Sequence, residues 1–240
     1  MPAITQLTPS YFLPTSIVLP NAPASIIARA ARRNDAHFSD SFFSQCGIDC
    51  PSNIKRAVTK RRSEYFIGRY LAQMALSAAG ATNTSISTNE DRCPIWPQSM
   101  CGSITHTDDF ALCVVASTEA QSVLGVDAVD WMTDTQAERV TRKIVSAEET
   151  ALINSSTLGY SKALSLCFSA KESIYKALFP YVRQFFGFSA ARLLAIDNDI
   201  EALYFEITQT LPNNPLAGRE LCVRYILEPD RGITWLADPI

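Results

Sequence analysis

The sequence predicts an α+β fold in which each half of the chain carries its own antiparallel sheet. Two observations lead there. Helical stretches and short β-branched runs come in blocks, in the order helix, strands, helices, strands, not in strict alternation. The strand runs are also closely joined, as where the turn Thr107–Asp109 separates "CGSITH" from "FALCVVAS". A break near Ser122 divides the 240 residues into halves of similar size, 1–122 and 123–240. No residue-level repeat relates them.

Each element has its own signal. In the first fifty residues, "SIVLP" and "DAHFSDSFF" read as short strands between turns. From Ser52 to Ala79 the pattern is helical, with Ser52 placed as a cap after Pro51 and Gly80 as the stop. The prolines of "RCPIWPQSM" demand extended or turn structure. "SVLGVDAV" is a third apolar, β-branched strand. "TDTQAERVTRKIVSAEETALI" reads as two helices, with Ser146 opening the second, and "SKALSLCFSAKESIYKALFPYV" as a long helix. The tail offers three more strands in "ALYFEITQT", "ELCVRYILE" and "GITWLA".

Composition narrows the class. Apolar residues make up 47% and charged residues 19%, which describes a soluble globular protein with a real core. A net charge of −3 argues against bulk nucleic-acid binding but leaves room for a local basic pocket. The seven cysteines are odd in number and scattered, so no disulfide framework and a reducing, cytoplasmic setting are expected. With only two histidines, His37 and His106, a zinc site is not expected. The start has no signal-peptide pattern, and no apolar run is long enough for a membrane span.

Four features carry possible chemistry. In "FSAKESIYKAL", Lys171 shares the apolar face of Leu164, Phe168, Tyr175 and Leu178, and Glu172 stands one step round. An i,i+4 pair of Glu172 with Lys176, worth roughly 0.3–0.5 kcal/mol, explains two of these charges but not Lys171. A buried ammonium requires an anion beside it. In "VLGVDAVD", Asp127 interrupts an apolar strand. It is either a structural carboxylate at a strand end or, with Glu172, a ligand for a hard cation such as magnesium. His106 in "GSITHTDD" is a loop residue or a phosphate partner. In "TKRRSEYFIGR", Arg61 or Arg62 lies roughly on one side with Arg69, which makes a solvated face or a grip on phosphate. There is no Gly-rich phosphate loop, so side chains must do any phosphate recognition.

These segments, "KRRSEYFIGR", "CPIWP", "GSITH", "GVDAVD" and "FSAKESIYK", stand in the order found in a known family. From about Val58 to Leu178 the chain resembles the larger, carrier-modifying 4′-phosphopantetheinyl transferases, most of all the enterobactin synthase component D group of siderophore assembly. The resemblance implies two similar α+β halves in a pseudo-two-fold arrangement, with the site in the cleft between them. The N-terminal half would carry a nucleotide-binding helix, and the C-terminal half the metal site and the lysine–glutamate helix. It implies a monomeric, magnesium-dependent transferase. The phosphopantetheine arm of coenzyme A moves to a serine of an apo carrier protein or carrier domain, such as those of siderophore synthetases, and adenosine 3′,5′-bisphosphate leaves.

By the family's motifs, Asp127 and Glu172 hold the metal, and Glu172 also serves as base. Lys171 and Lys176 contact phosphates, and Lys176 counts with Glu172 among the catalytic residues. Arg61, Arg62 and Arg69 hold the nucleotide end, and Thr105 and His106 sit near the phosphates. The sequence departs from the family where a second carboxylate is usual: that position is Val129, with Asp130 next. Asp130 is carried as a third metal ligand, although on a regular strand it points away from Asp127. Arg92 is the nearest cation to a lysine expected before "CPIWP". The aromatics of "FPYVRQFFGF" are either core or a docking patch for the carrier. A non-catalytic coenzyme A or nucleotide-binding protein is the alternative, with a nucleic-acid binder a distant third.

Overall fold

The structure is a computed structural model that describes residues 10–121 and 123–238. Ser122, where the break between halves is expected, lies outside them. The chain divides into two compact units. One runs up to Val18 and resumes over Ala24–Ala120; the other takes Leu19–Pro23 and the chain from Gln121 onward.

The first unit contains β1 (Phe12–Thr15), β2 (Ile27–Arg33), α1 (Ser41–Gln45), α2 (Ser52–Lys55), α3 (Thr59–Ala78), β3 (Ser87–Thr88), β4 (Pro94–Ile95), β5 (Met100–His106) and β6 (Phe110–Ser117). Its main sheet is antiparallel in the order β1-β2-β6-β5, and β3 pairs with β4 in a small hairpin. Helix α3 lies across β2, β5 and β6. It buries Phe66, Ile67, Tyr70, Leu71 and Leu76 and ends where Gly80 takes φ +79°. Tyr11, Phe38, Phe42 and Phe43 close around Phe66.

Three expectations change in this unit. "DAHFSDSFF" is a 3-10 turn at Asp35–His37 followed by α1, because the Asn34 side chain accepts from the Ala36 N–H and starts a turn there. "SIVLP" forms no strand, since β1 ends at Thr15, and β2 supplies the strand the reading lacked. Finally, the expected continuous helix breaks at Val58, which is extended at ψ 155°. Pro51, not Ser52, holds the cap position of α2.

The second unit contains β7 (Val123–Asp130), α4 (Asp134–Ile144), α5 (Ala147–Ser155), α6 (Tyr160–Val182), β8 (Ala191–Asp197), β9 (Ala202–Ile207), β10 (Leu221–Leu227) and β11 (Arg231–Asp238). The sheet is antiparallel in the order β7-β11-β10-β9-β8, and α6 packs on β7 and β11. Capping boxes open α4 (Thr133 with Gln136) and α5 (Ser146 with Glu149), so Ser146 does open the second of the two helices. β8 was not foreseen. Both units therefore show the expected construction, an antiparallel sheet packed with one long helix.

Candidate active site

In the second unit, α6 rests directly on β7 because Gly125 has no side chain. A Cβ there would collide with the Ser173 carbonyl oxygen and lie 2.8 Å from the Ala177 Cβ. Two residues along the same strand face, Asp127 is buried to 7% exposure against α6. Its Oδ2 accepts from Ser169 Oγ at 2.8 Å and its Oδ1 from Lys176 Nζ at 2.6 Å, while Lys176 also donates to the Val126 carbonyl at 3.2 Å. Thr234 of β11, opposite Asp127 in the ladder, shares hydrogen bonds with Ser169 (3.0 Å) and Ser173 (2.8 Å). Ser169 and Thr234 thus orient Asp127, a role the sequence reading missed. The signal was present as serines recurring every four residues along one helix face, Ser161, Ser165, Ser169 and Ser173.

Glu172 joins this group. Its carboxyl is pushed above its ordinary range chiefly by burial and then by the charge of Asp127, with Lys176 opposing. Carboxylates on β7 and on α6, the latter burdened by the charge of the former, are donors of the kind a hard divalent cation takes. Magnesium is commonly bound by one or two carboxylates, with water and substrate phosphates completing its shell.

Lys171 does not belong to this group. Residues on a helix step by about 100°, so Lys171 points well away from Glu172 and farther still from Lys176. Its ammonium donates to Glu149 Oε1 at 2.6 Å, the Ile144 carbonyl at 2.9 Å and the Phe188 carbonyl at 3.2 Å. The anion its burial required is Glu149, and all three donors are taken, which corrects the expected phosphate contact.

Asp130 stands apart too. The β7–β11 register runs unbroken from Val123 to Asp130, so no bulge turns Asp130 toward the Asp127 face. It lies 3.6 Å from the buried guanidinium of Arg231 instead. Among the described residues, no group of three or more His, Cys, Asp or Glu side chains comes together that could hold a metal ion. Beside Glu172 opens a pocket of ≈230 Å³ lined by Tyr175, Phe185, Phe186 and Phe188. Of the aromatics of "FPYVRQFFGF", Phe179 and Phe186 are buried in the core, whereas Phe185 is 78% exposed.

The first unit holds a larger cavity, ≈430 Å³, whose lining includes Arg61, Glu64, Tyr65, Arg69, Arg92 and His106. Arg69 is 8% exposed, lies over the Tyr65 ring at 4.6 Å and donates to Thr88 at 2.7 Å. Its Nε has no partner, and burial lowers its pKa, both signs of a guanidinium short of an anion. Glu64 lies 3.3 Å from Arg61 and 3.8 Å from His106 and Arg33. Arg92, at positive φ in the β3–β4 turn, reaches the rim.

Two expected residues are not on this lining. Arg62 is tied to Asp40 at 2.8 Å and to the Ala57 carbonyl. Thr105 is buried on the strand face opposite Ile104 and His106.

Each unit also answers to known sequences. Residues 51–116 match the 4′-phosphopantetheinyl transferase N-terminal domain, and residues 123–218 match the 4′-phosphopantetheinyl transferase superfamily. The chain belongs to the 4′-phosphopantetheinyl transferase superfamily. It is 32% identical over 143 residues to enterobactin synthase component D of Salmonella typhimurium, covering 60% of this chain and 58% of that one. It is 31% identical over 140 residues to 4′-phosphopantetheinyl transferase PptT of Mycobacterium tuberculosis, covering 58% and 61%. For 4′-phosphopantetheinyl transferase Npt of Nocardia iowensis the values are 30% over 140 residues, 58% and 62%. The matched region spans less than two thirds of each of these relatives.

Proposed function

We propose that this protein transfers the 4′-phosphopantetheine arm of coenzyme A to a serine of an apo carrier protein and releases adenosine 3′,5′-bisphosphate. One observation carries the reading. Asp127 and Lys176, which belong to two motifs far apart in sequence, join at 2.6 Å where β7 meets α6, on the stretch of helix that also carries Glu172.

Asp127 and Glu172 would hold magnesium, which when bound neutralises charge on the pyrophosphate. Lys176, partly exposed beside Asp127, holds a phosphate oxygen. Glu172 takes the serine proton as the serine oxygen bonds to the pantetheine phosphorus and the bond to the bisphosphate oxygen breaks. Arg61, Arg69, Arg92 and His106 grip the nucleotide phosphates in the first unit's cavity. The pantetheine arm, largely apolar, lies along Tyr175, Phe186 and Phe188.

The halves 1–122 and 123–240 divide this work between nucleotide and metal. Carrier domains of siderophore synthesis are the expected acceptors, by likeness to the enterobactin synthase components. A second reading, a coenzyme A-binding protein without turnover, rests on Val129 standing where the family's second carboxylate is usual and on Asp130 facing away.

Intact-mass spectrometry decides between them. Apo carrier, coenzyme A and magnesium are incubated with the protein, with a chelator control. Gain of one phosphopantetheine, lost on chelation, supports transfer. Coenzyme A binding with no gain on any of several carriers supports the second reading.

A further inference from the structure

We infer that Glu149 is a positioning residue for the transfer reaction, acting on Glu172 through Lys171; this rests on the transferase reading above. Glu149 is 3% exposed, and its single carboxylate joins several elements. Oε2 accepts from the Ser146 N–H at 2.7 Å, closing the capping box of α5. Oε1 accepts from the Leu193 N–H of β8 at 2.8 Å and from Lys171 Nζ at 2.6 Å. Lys171 in turn binds the C-terminal carbonyl of α4 at Ile144 and the Phe188 carbonyl just before β8. The side of α6 facing α5 and β8 is therefore fastened at one point.

The opposite side of α6 is fastened by Ser169 and Ser173 to Asp127 and Thr234. Glu172 and Lys176 lie between these two anchorages. A helix held at Lys171 has its rotation fixed, and Glu172 follows Lys171 by about 100°. Glu172 makes no side-chain hydrogen bond of its own with the described residues, so its placement is inherited from its neighbour. A buried ion pair gives little net stability over an apolar pair of similar volume, so stability alone is a poor reason for one here. Its directional demand, three donors and a carboxylate in fixed places, is what an apolar pair cannot reproduce.

The test compares wild type with Glu149→Asp, which keeps the charge but shortens the reach, and with the apolar replacement Glu149→Leu/Lys171→Met. Transfer is followed by intact mass, melting by calorimetry, and metal affinity directly by manganese titration with paramagnetic detection in the presence of coenzyme A. Glu149→Asp is expected to lower kcat at least tenfold with KM for coenzyme A within about twofold, and to weaken manganese binding at least threefold. The double variant is expected to melt near wild type yet keep the low kcat. Wild-type kcat and manganese affinity in either variant would overturn the inference, as would a loss of rate accounted for by KM or by unfolded protein. If wild type binds manganese but transfers nothing, the transferase reading fails while the manganese arm still tests the positioning.

Discussion

At the scale of single residues, burial and the neighbouring Asp127 charge set how Glu172 behaves. Its folded pKa lies above its ordinary value of 4.5, so the fold favours its protonated form. That contribution is fully present below the unfolded pKa and is lost as pH rises through the folded one. In metal-free buffer near pH 7 the Glu172 charge therefore destabilises the protein. Glu172→Gln is expected to melt higher than wild type there, by a margin that closes near pH 4 and narrows when magnesium is added. Transfer by the same variant should fall at least a hundredfold, because amide can neither accept the serine proton nor match a carboxylate toward the metal. Calorimetry across pH, alongside intact-mass rates, checks both; a variant no more stable and fully active would remove Glu172 from the site. Arg69 gives an independent prediction. Its buried guanidinium lacks a partner at Nε, and Arg69→Ala should raise KM for coenzyme A roughly tenfold or more with kcat less affected. Steady-state kinetics at fixed carrier concentration measure this.

At the scale of elements, the contact of α6 with β7 decides the site. Gly125 lets the helix approach close enough for Ser169 and Lys176 to reach Asp127. Gly125→Ala should cost about 1–3 kcal/mol, the range for overpacking, and reduce transfer even in the folded fraction. Denaturant unfolding and rates normalised to folded protein separate the two effects. Ser169→Ala makes a smaller change in volume but takes the hydroxyl donor from Asp127 Oδ2. A loss of about 1–3 kcal/mol is expected if that oxygen stays unpaired, with weaker metal dependence.

The same elements show what was legible in the chain. The strand "VLGVDAVD" and the helix "FSAKESIYKAL" could be read from period and motif. The β2 strand, "IARAARR", could not, because its alanines carry weak β-propensity; neither could β8, "ARLLAID", a short run without clear alternation, and the two gain their place by pairing with β1 and β6 and with β9. The break at Val58 escaped notice because the residues around it are good helix formers on both sides.

At the scale of the whole molecule, the proposed chemistry divides between cations that hold a nucleotide and carboxylates that hold a metal. Chelation should therefore abolish transfer while leaving coenzyme A affinity within a few fold, since Arg61, Arg69, Arg92 and His106 line the first unit's cavity and need no metal. Calorimetric titration of coenzyme A with and without chelator reads this directly. A coenzyme A affinity that collapses on chelation would place the main grip at Asp127 and Glu172 instead. Among the described residues no helix is long and apolar enough to cross a membrane.

The sequence by itself determined the class of fold and the family, because motif residues and hydrophobic period are local properties written directly in the chain. It also showed that Lys171 needs an anion, since the cost of a buried ammonium does not depend on knowing the fold. Only the tertiary structure decided which anion that is. Glu149 is far from Lys171 in sequence and reaches it through the packing of α5 and β8 on α6. The structure likewise separated Asp130 from Asp127 by an unbroken ladder and turned Arg62 and Thr105 away from the cavity. Side-chain direction depends on the register of partners that no single stretch of sequence contains.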